Sequence, residues 1–201
     1  EAARAFHDGL ARSGLSIVAY DILLDADDGA MRDAMFTRGA EPVSIAGLSK
    51  ADWIISAVTA DQSLLAVEPL LAHLRAGQVL IDLNSVSPDR KRETAALVEK
   101  TGAQYLDMAV MAPVHPKKLA TPVLLAGAFA QGLLPQMLEL GFNASIAGDK
   151  VGAATAIKMV RSLFVKGLEA ISVEALLAAK ASGCFDEIYA SLSTSYPRLG
   201  W

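Results

Sequence analysis

In the run Val151-Gly-Ala-Ala-Thr-Ala-Ile-Lys-Met-Val-Arg-Ser162, Lys158 stands among apolar and small residues. An ammonium held in such surroundings loses hydration, which lowers its pKa toward the range where it exchanges a proton at neutral pH. The competing reading is a lysine that runs its amine out to solvent along its own aliphatic stem. Arg161 and Ser162 lie three and four residues further on, so on a helix they share roughly one face with Lys158 and form a small polar patch. Lys158 is the candidate proton donor.

Hydrogen-bonding groups gather elsewhere after short apolar runs. The segment Val79-Leu-Ile-Asp-Leu-Asn-Ser-Val-Ser-Pro88 delivers Asn84, Ser85 and Ser87 where a strand ends, the edge at which open α/β sheets place their ligands. Ser87 before Pro88 reads as a helix cap, which leaves Asn84 and Ser85 as candidates for an oxygen-rich small molecule. The later segment Asp107 to Lys118 brings His115, Lys117 and Lys118 together, either as an anion clamp or, more commonly for such residues, as a solvated basic loop.

Near the start, Glu1-Ala2-Ala3 fits the tail of a glycine-rich dinucleotide fingerprint whose last position has become alanine. A strand ending in Tyr20-Asp21 follows about twenty residues later, where a ribose-binding carboxylate belongs. Asp21 would accept hydrogen bonds from both ribose hydroxyls and repel a 2′-phosphate, a repulsion reinforced by Asp25, Asp27 and Asp28. That favours NAD over NADP, with NADP still open. The rival reading of Asp21 is an ordinary turn-starting aspartate.

The elements that must position these groups follow from the hydropathy pattern. Apolar runs at 15–20, 53–58, 79–83, 104–107, 122–126 and 143–146 read as strands. Amphipathic stretches at 2–13, 29–38, 61–74, 88–101 and 128–140 read as helices between them. The pattern predicts a Rossmann-like, doubly wound parallel α/β domain over residues 1–149. A doubly wound dinucleotide domain needs a first strand and a glycine turn before its first helix, so this reading expects both upstream of Glu1. From Gly152 to about Lys180 runs an alanine- and leucine-rich stretch, and roughly 30 helical residues would extend about 45 Å. Residues 150–201 therefore read as a long linking helix opening an all-α domain, which another part of the chain or a second subunit must cover. A homodimer through the helical domain is the expectation.

Composition narrows the classes. The chain of 201 residues is 53% hydrophobic and carries a formal charge of −4, with basic residues spread rather than clustered, so nucleic-acid binding is not expected. A mean hydropathy of +0.36 fits a buried core rather than disorder. The longest uncharged stretch, 119–138, contains Pro122, Gly127, Gln131, Gly132, Pro135 and Gln136, so no membrane span is expected. A lone Cys184 and no charged-then-apolar leader point to a reducing cytoplasm. No metal-ligand spacing and no serine nucleophile elbow is present, so no metal is expected.

Taken in order, these segments resemble the β-hydroxyacid dehydrogenase and 6-phosphogluconate dehydrogenase superfamily over nearly the whole chain. Glu1-Ala-Ala would finish the glycine fingerprint. Asp82-Leu-Asn-Ser-Val-Ser-Pro88 is similar to the family's Asp-x-Ser-Thr-x-x-Pro motif, Asp107-Met-Ala-Val-Met-Ala-Pro113 stands for its Asp-Ala-Pro-Val-Ser-Gly-Gly, and 152–162 for its lysine-bearing helix. The wording is nearest to a phosphogluconate-dehydrogenase-like branch with its own helical C-terminal domain. The resemblance implies an NAD(P)-dependent dehydrogenase acting on a CH–OH group of a hydroxyacid or sugar-acid-like small molecule, and a chain truncated at both ends. It makes Lys158 the general acid and base. It places Asn84, Ser85, Arg161 and Ser162 at substrate positions, and Glu1, Ala2, Asp21, Val58 and Thr59 at the cofactor. Two motifs depart from the pattern. Arg161 and Ser162 replace paired asparagines, and Met111-Ala112-Pro113 replaces Ser-Gly-Gly, where proline lacks the backbone N–H offered to a carboxylate. Arg161 could supply that contact by a bidentate hydrogen bond. The rival readings are an imine reductase on the same scaffold, which would not need Lys158, and a non-catalytic nucleotide-binding or dimerisation module.

Overall fold

The computed structural model describes residues 1–26 and 29–199. Asp27 and Asp28, read above as reinforcing the exclusion of a 2′-phosphate, lie outside the described residues. The chain divides into two compact units, Glu1–Lys158 and the remainder from Met159.

A five-stranded sheet organises the first unit, in the order β3 (Trp53–Ser56), β4 (Val79–Asp82), β5 (Gln104–Val110), β6 (Pro122–Ala126) and β7 (Asn143–Gly148). Two further short strands, β1 (Val18–Ala19) and β2 (Glu41–Pro42), pair in parallel as a separate two-stranded ladder. Strand pairs β3–β4, β4–β5 and β6–β7 are parallel, while β5–β6 is antiparallel. The reason lies in the connection: residues 111–121 hold a single 3-10 turn at Lys118–Ala120 and no crossover helix, which a parallel return would require. The sheet is therefore the expected α/β sheet, but where a wholly parallel one was expected it carries one antiparallel step.

Helices cover both faces. Helix α1 (Ala2–Leu10) and helix α4 (Ala130–Glu139) pack Phe6, Leu133 and Met137 against Val79, Ile81, Leu106 and Met108. On the opposite face helix α3 (Pro88–Glu99) sets Ala95 and Val98 against Leu80, Ile54 and Tyr105. Helix α2 (Gly29–Thr37) lies between β1 and β2 in the chain. The period-2 alternation along β4 and β5 sorts these residues between the two cores.

The expected helix over 61–74 is not an α-helix. It folds as 3-10 turns at Ala60–Gln62 and Pro69–His73, with mixed hydrogen bonds such as Val67 N–H to Leu64 O and Glu68 N–H to Leu64 O. Pro69 removes a donor from any regular ladder there, yet Val67 and Leu70 still reach the core. The expected strand at 15–20 shrinks to Val18–Ala19, and the two-residue β2 carries no apolar run by which it could be found.

Helix α5 (Ala153–Ala181) begins in the first unit and continues into the second, where helix α6 (Phe185–Ser195) follows the αL glycine Gly183. None of the helices described is long and apolar enough to cross a membrane.

Candidate functional site

The site begins with two aspartates side by side. Asp82 and Asp107 are register partners on the parallel strands β4 and β5, and both project toward the α3 face because Leu80 and Tyr105, two residues earlier, do so. Two carboxylates in a dry interior repel, and the cation that joins them comes from α3. Lys91 is fully buried. Its Nζ donates to the Asp82 backbone carbonyl at 2.6 Å and lies 3.0 Å from Asp82 Oδ1 and 3.5 Å from Asp107 Oδ1. The remaining acceptor capacity is filled by neutral donors. Tyr105 Oη donates to Asp82 Oδ2 at 2.5 Å, and the Asn84 amide to Asp82 Oδ1 at 2.8 Å. The Gly152 and Thr155 amides donate to Asp107 Oδ2 at 3.0 and 3.2 Å, and the Thr155 hydroxyl to Oδ1 at 2.7 Å. Burial and the neighbouring Asp82 carboxylate push the Tyr105 phenol far above its ordinary range, so it stays a donor.

Above this layer sit the residues singled out from the sequence. The Lys158 ammonium donates to Ser85 Oγ at 2.8 Å, from α5 to the loop after β4. Burial, and then the like charge of Lys91, hold the Lys158 amine below its ordinary 10.5, with Asp107 opposing. Ser85 is exposed, whereas Asn84 is buried with both ends of its side-chain amide hydrogen-bonded: Oδ1 accepts from Val58 N–H at 2.7 Å and Nδ2 donates to Ser56 Oγ at 3.0 Å. Asn84 thus ties the end of β4 to the end of β3. Ser87 caps α3 by accepting from Arg90 N–H at 3.2 Å, with Pro88 in the first turn.

Along α5, Arg161 and Ser162 follow Lys158 by one turn but belong to the second unit, where Arg161 is exposed and Ser162 half-buried. Lys118 is drawn into an ion pair with Asp8 at 3.5 Å, which does not suit it to an anion clamp.

At the start of the chain, Glu1 and Ala2 open α1, with the Glu1 carbonyl accepting from Ala5 N–H at 3.0 Å. Asp21 follows β1 and starts a turn: its Oδ1 accepts from Leu23 N–H at 3.0 Å and its carbonyl from Leu24 N–H. Both readings of Asp21 are compatible, since a carboxylate has two oxygens and the residue is half-exposed. Asp25 takes the hydroxyl of Tyr20 at 2.5 Å, and the phenol is pushed up to about 12 by burial and by that carboxylate. Val58 and Thr59 are exposed just beyond the carboxyl end of β3, the edge at which parallel α/β sheets place their ligands. A carboxylate with a spare oxygen and an open strand edge suit a dinucleotide. Among the described residues there is no cluster of His, Cys, Asp and Glu able to hold a metal ion.

The Asp82–Lys91–Asp107 cluster went unread in the sequence although a signal exists. Lys91, Thr94, Ala95 and Val98 form the i, i+3, i+4, i+7 stripe that α3 buries, and an aspartate ends each of two apolar strands.

Comparison with known proteins accords with this layout. The family of the NAD binding domain of 6-phosphogluconate dehydrogenase matches residues 4–132. Human mitochondrial 3-hydroxyisobutyrate dehydrogenase is 28% identical over 166 residues, covering 78% of this chain and 47% of that protein. A conserved hypothetical protein from Sinorhizobium meliloti 1021 superposes with a TM-score of 0.81 at 34% identity, over 100% of this chain and 69% of that one. An imine reductase from Myxococcus stipitatus, solved with NAD+, shares the fold at 23% identity and a TM-score of 0.80, over 96% of this chain and 67% of that one. The chain spans about half the length of the curated relatives it matches. It belongs to the family of the NAD-binding domain of 6-phosphogluconate dehydrogenase.

Proposed function

We propose that the chain is the nucleotide-binding part of an NAD(P)-dependent dehydrogenase acting on the carbinol of a hydroxyacid or sugar-acid-like substrate. The observation that carries this reading is Lys158: a half-buried amine of lowered pKa, hydrogen-bonded to an exposed serine at the carboxyl end of β4. The chemistry a bound nicotinamide supplies is hydride exchange with the carbinol carbon. Lys158 takes the hydroxyl proton in the oxidative direction and returns it in the reductive one. Ser85 accepts from the Lys158 ammonium and turns its hydroxyl toward the substrate oxygen, while Asn84 fixes the loop that carries it. Arg161 and Ser162 supply further substrate contacts, Arg161 for a carboxylate or phosphate. Asp21 holds the ribose and favours NAD, with Glu1, Ala2, Val58 and Thr59 lining the rest of the cofactor. A second subunit covering the helical segment, and a cytoplasmic setting, complete the reading.

Reduction of C=N on the same scaffold has no use for a lysine at 158, and a binding module without turnover has no use for its lowered pKa. The experiment is a fluorescence titration of NADH and NADPH into the protein and its Lys158→Ala variant, followed by a turnover screen over hydroxyacids and sugar acids. Equal cofactor binding with turnover confined to the parent supports the dehydrogenase. Binding without turnover by either favours the module, and no binding removes the proposal.

A further inference from the structure

We infer that Lys91 is a positioning residue for Lys158: one buried ammonium, through two carboxylates, fixes both segments that meet in the Lys158–Ser85 hydrogen bond. This rests on the reading of Lys158 as the proton relay.

The geometry divides cleanly. Asp82, held by Lys91 through both its carbonyl and Oδ1, accepts from the Asn84 amide and so sets the loop that presents Ser85. Asp107, the second carboxylate on Lys91, accepts from the Gly152 amide just before α5 and the Thr155 amide in its first turn, together with the Thr155 hydroxyl. A carboxylate at a helix N-terminus satisfies donors that have no partner within the helix. Lys158 lies three residues beyond Thr155, so the orientation of that first turn aims its side chain. Among the described hydrogen bonds, none joins Asp82, Asp107 or Lys91 to the side chain of Lys158 or Ser85. All three act through the segments they hold.

Lys91 also acts through its charge. The charged groups that act on Lys158 are Lys91 from α3 and Asp107 from β5, and Arg161 follows three residues later on its own helix. Lys91 disfavours a second ammonium nearby, and Asp107 favours one. Neutralising Lys91 removes the first influence and leaves the aspartates uncompensated, so both changes raise the pH at which Lys158 loses its proton. A lysine that served only to fill the α3 interface would leave that pH unchanged.

The test reads Lys158 without cofactor, substrate or turnover, so it stands apart from the proposed activity. Trace acetic anhydride labels the folded protein across the neutral-to-alkaline range, and peptide mass spectrometry gives the rate at each lysine. In the parent, Lys91 should be protected while Lys158 reacts from below the ordinary lysine range. A Lys91 acetylated as fast as the surface lysines overturns the proposal. In Lys91→Met, Lys158 labelling at neutral pH should fall by roughly tenfold, the equivalent of one pKa unit. Should circular dichroism show that variant unfolded, Lys91→Met combined with Asp82→Asn removes one charge of each sign and should lower Lys158 labelling in the same direction by less, since Lys91 and Asp107 are the charges that act on Lys158, while Lys91→Arg should restore much of the parental profile. An unchanged Lys158 profile in a folded variant that lacks the Lys91 charge overturns the inference, whether or not the protein turns over a hydroxyacid.

Discussion

Lys158 Nζ donates to Ser85 Oγ at 2.8 Å across 73 residues of sequence, so a helix and a strand-end loop that form separately must both be correctly placed before the pair exists. The proposed chemistry depends on that meeting.

The pH dependence of turnover should carry opposite signs in the two directions. The Lys158 amine sits below its ordinary 10.5, chiefly through burial. Alcohol oxidation needs the neutral amine, so its rate should rise with pH and level off before 10.5, while carbonyl reduction needs the ammonium and should fall through the same midpoint. Rates measured in both directions across the alkaline range check this, and a rise that begins only above the ordinary lysine value would contradict it.

Replacing Lys158 by methionine should abolish turnover, a loss of about 10²–10⁴-fold for a proton-transfer group, and yet stabilise the fold at neutral pH. The sign follows from linkage. The folded-state pKa is depressed, so protonation favours the unfolded chain; the penalty is fully present below the folded pKa and vanishes as pH rises past the unfolded value of 10.5. Calorimetry should show a higher Tm for Lys158→Met at neutral pH and convergence with the parent in strong alkali.

Asn84→Leu should destabilise by about 1–3 kcal/mol, because the Val58 N–H loses its acceptor and Ser56 Oγ its donor. Since Val58 lies in the proposed cofactor row, the NADH dissociation constant should rise as well. Chemical denaturation and fluorescence titration measure the two effects separately.

Gly152 adopts φ +93°, and a Cβ there would lie 3.1 Å from the Pro88 carbonyl oxygen and 2.8 Å from Arg92 Nη1. Gly152→Ala should cost about 1–3 kcal/mol from backbone strain alone. It should also displace the first turn of α5, so kcat should fall more than the stability loss explains, a split that denaturation combined with steady-state kinetics resolves.

For Asp21, the prediction concerns selectivity. Asp21→Ser removes the carboxylate that would repel a 2′-phosphate, and the preference for NADH over NADPH should narrow by about tenfold, equivalent to about 1.4 kcal/mol. Equal narrowing in a control substitution of Glu68 would show the effect to be one of net charge.

The sequence disclosed what periodicity and punctuation encode. The strands from Trp53 onward, α3 with its Ser87 cap and the long α5 announce themselves through apolar runs, proline and glycine. The two-residue ladder of Val18–Ala19 with Glu41–Pro42 does not, since so short a strand leaves no alternation to detect. The antiparallel turn of β6 was hidden for a different reason: strand direction depends on how the intervening loop packs, not on the strand's own residues. At the site, Lys158, Asn84 and Ser85 were legible by residue type, and the helix and loop they occupy do bring Lys158 to Ser85. The support below them was not. A single buried lysine within a heavily charged helix resembles its solvent-facing neighbours Arg90 and Arg92, and only the apolar stripe it shares with Ala95 and Val98 sets it apart.

The register of Asp82 against Asp107 bears on how the molecule assembles. Strands β4 and β5 close in register only by bringing two carboxylates together, and Lys91 of α3 is the cation that makes the closure favourable. The centre of the sheet and the helix above it therefore form as one cooperative unit. A local opening that lifts α3 strips the aspartates of their counter-ion and loosens both strands, so slow amide exchange in β4, β5 and α3 shares a single opening free energy.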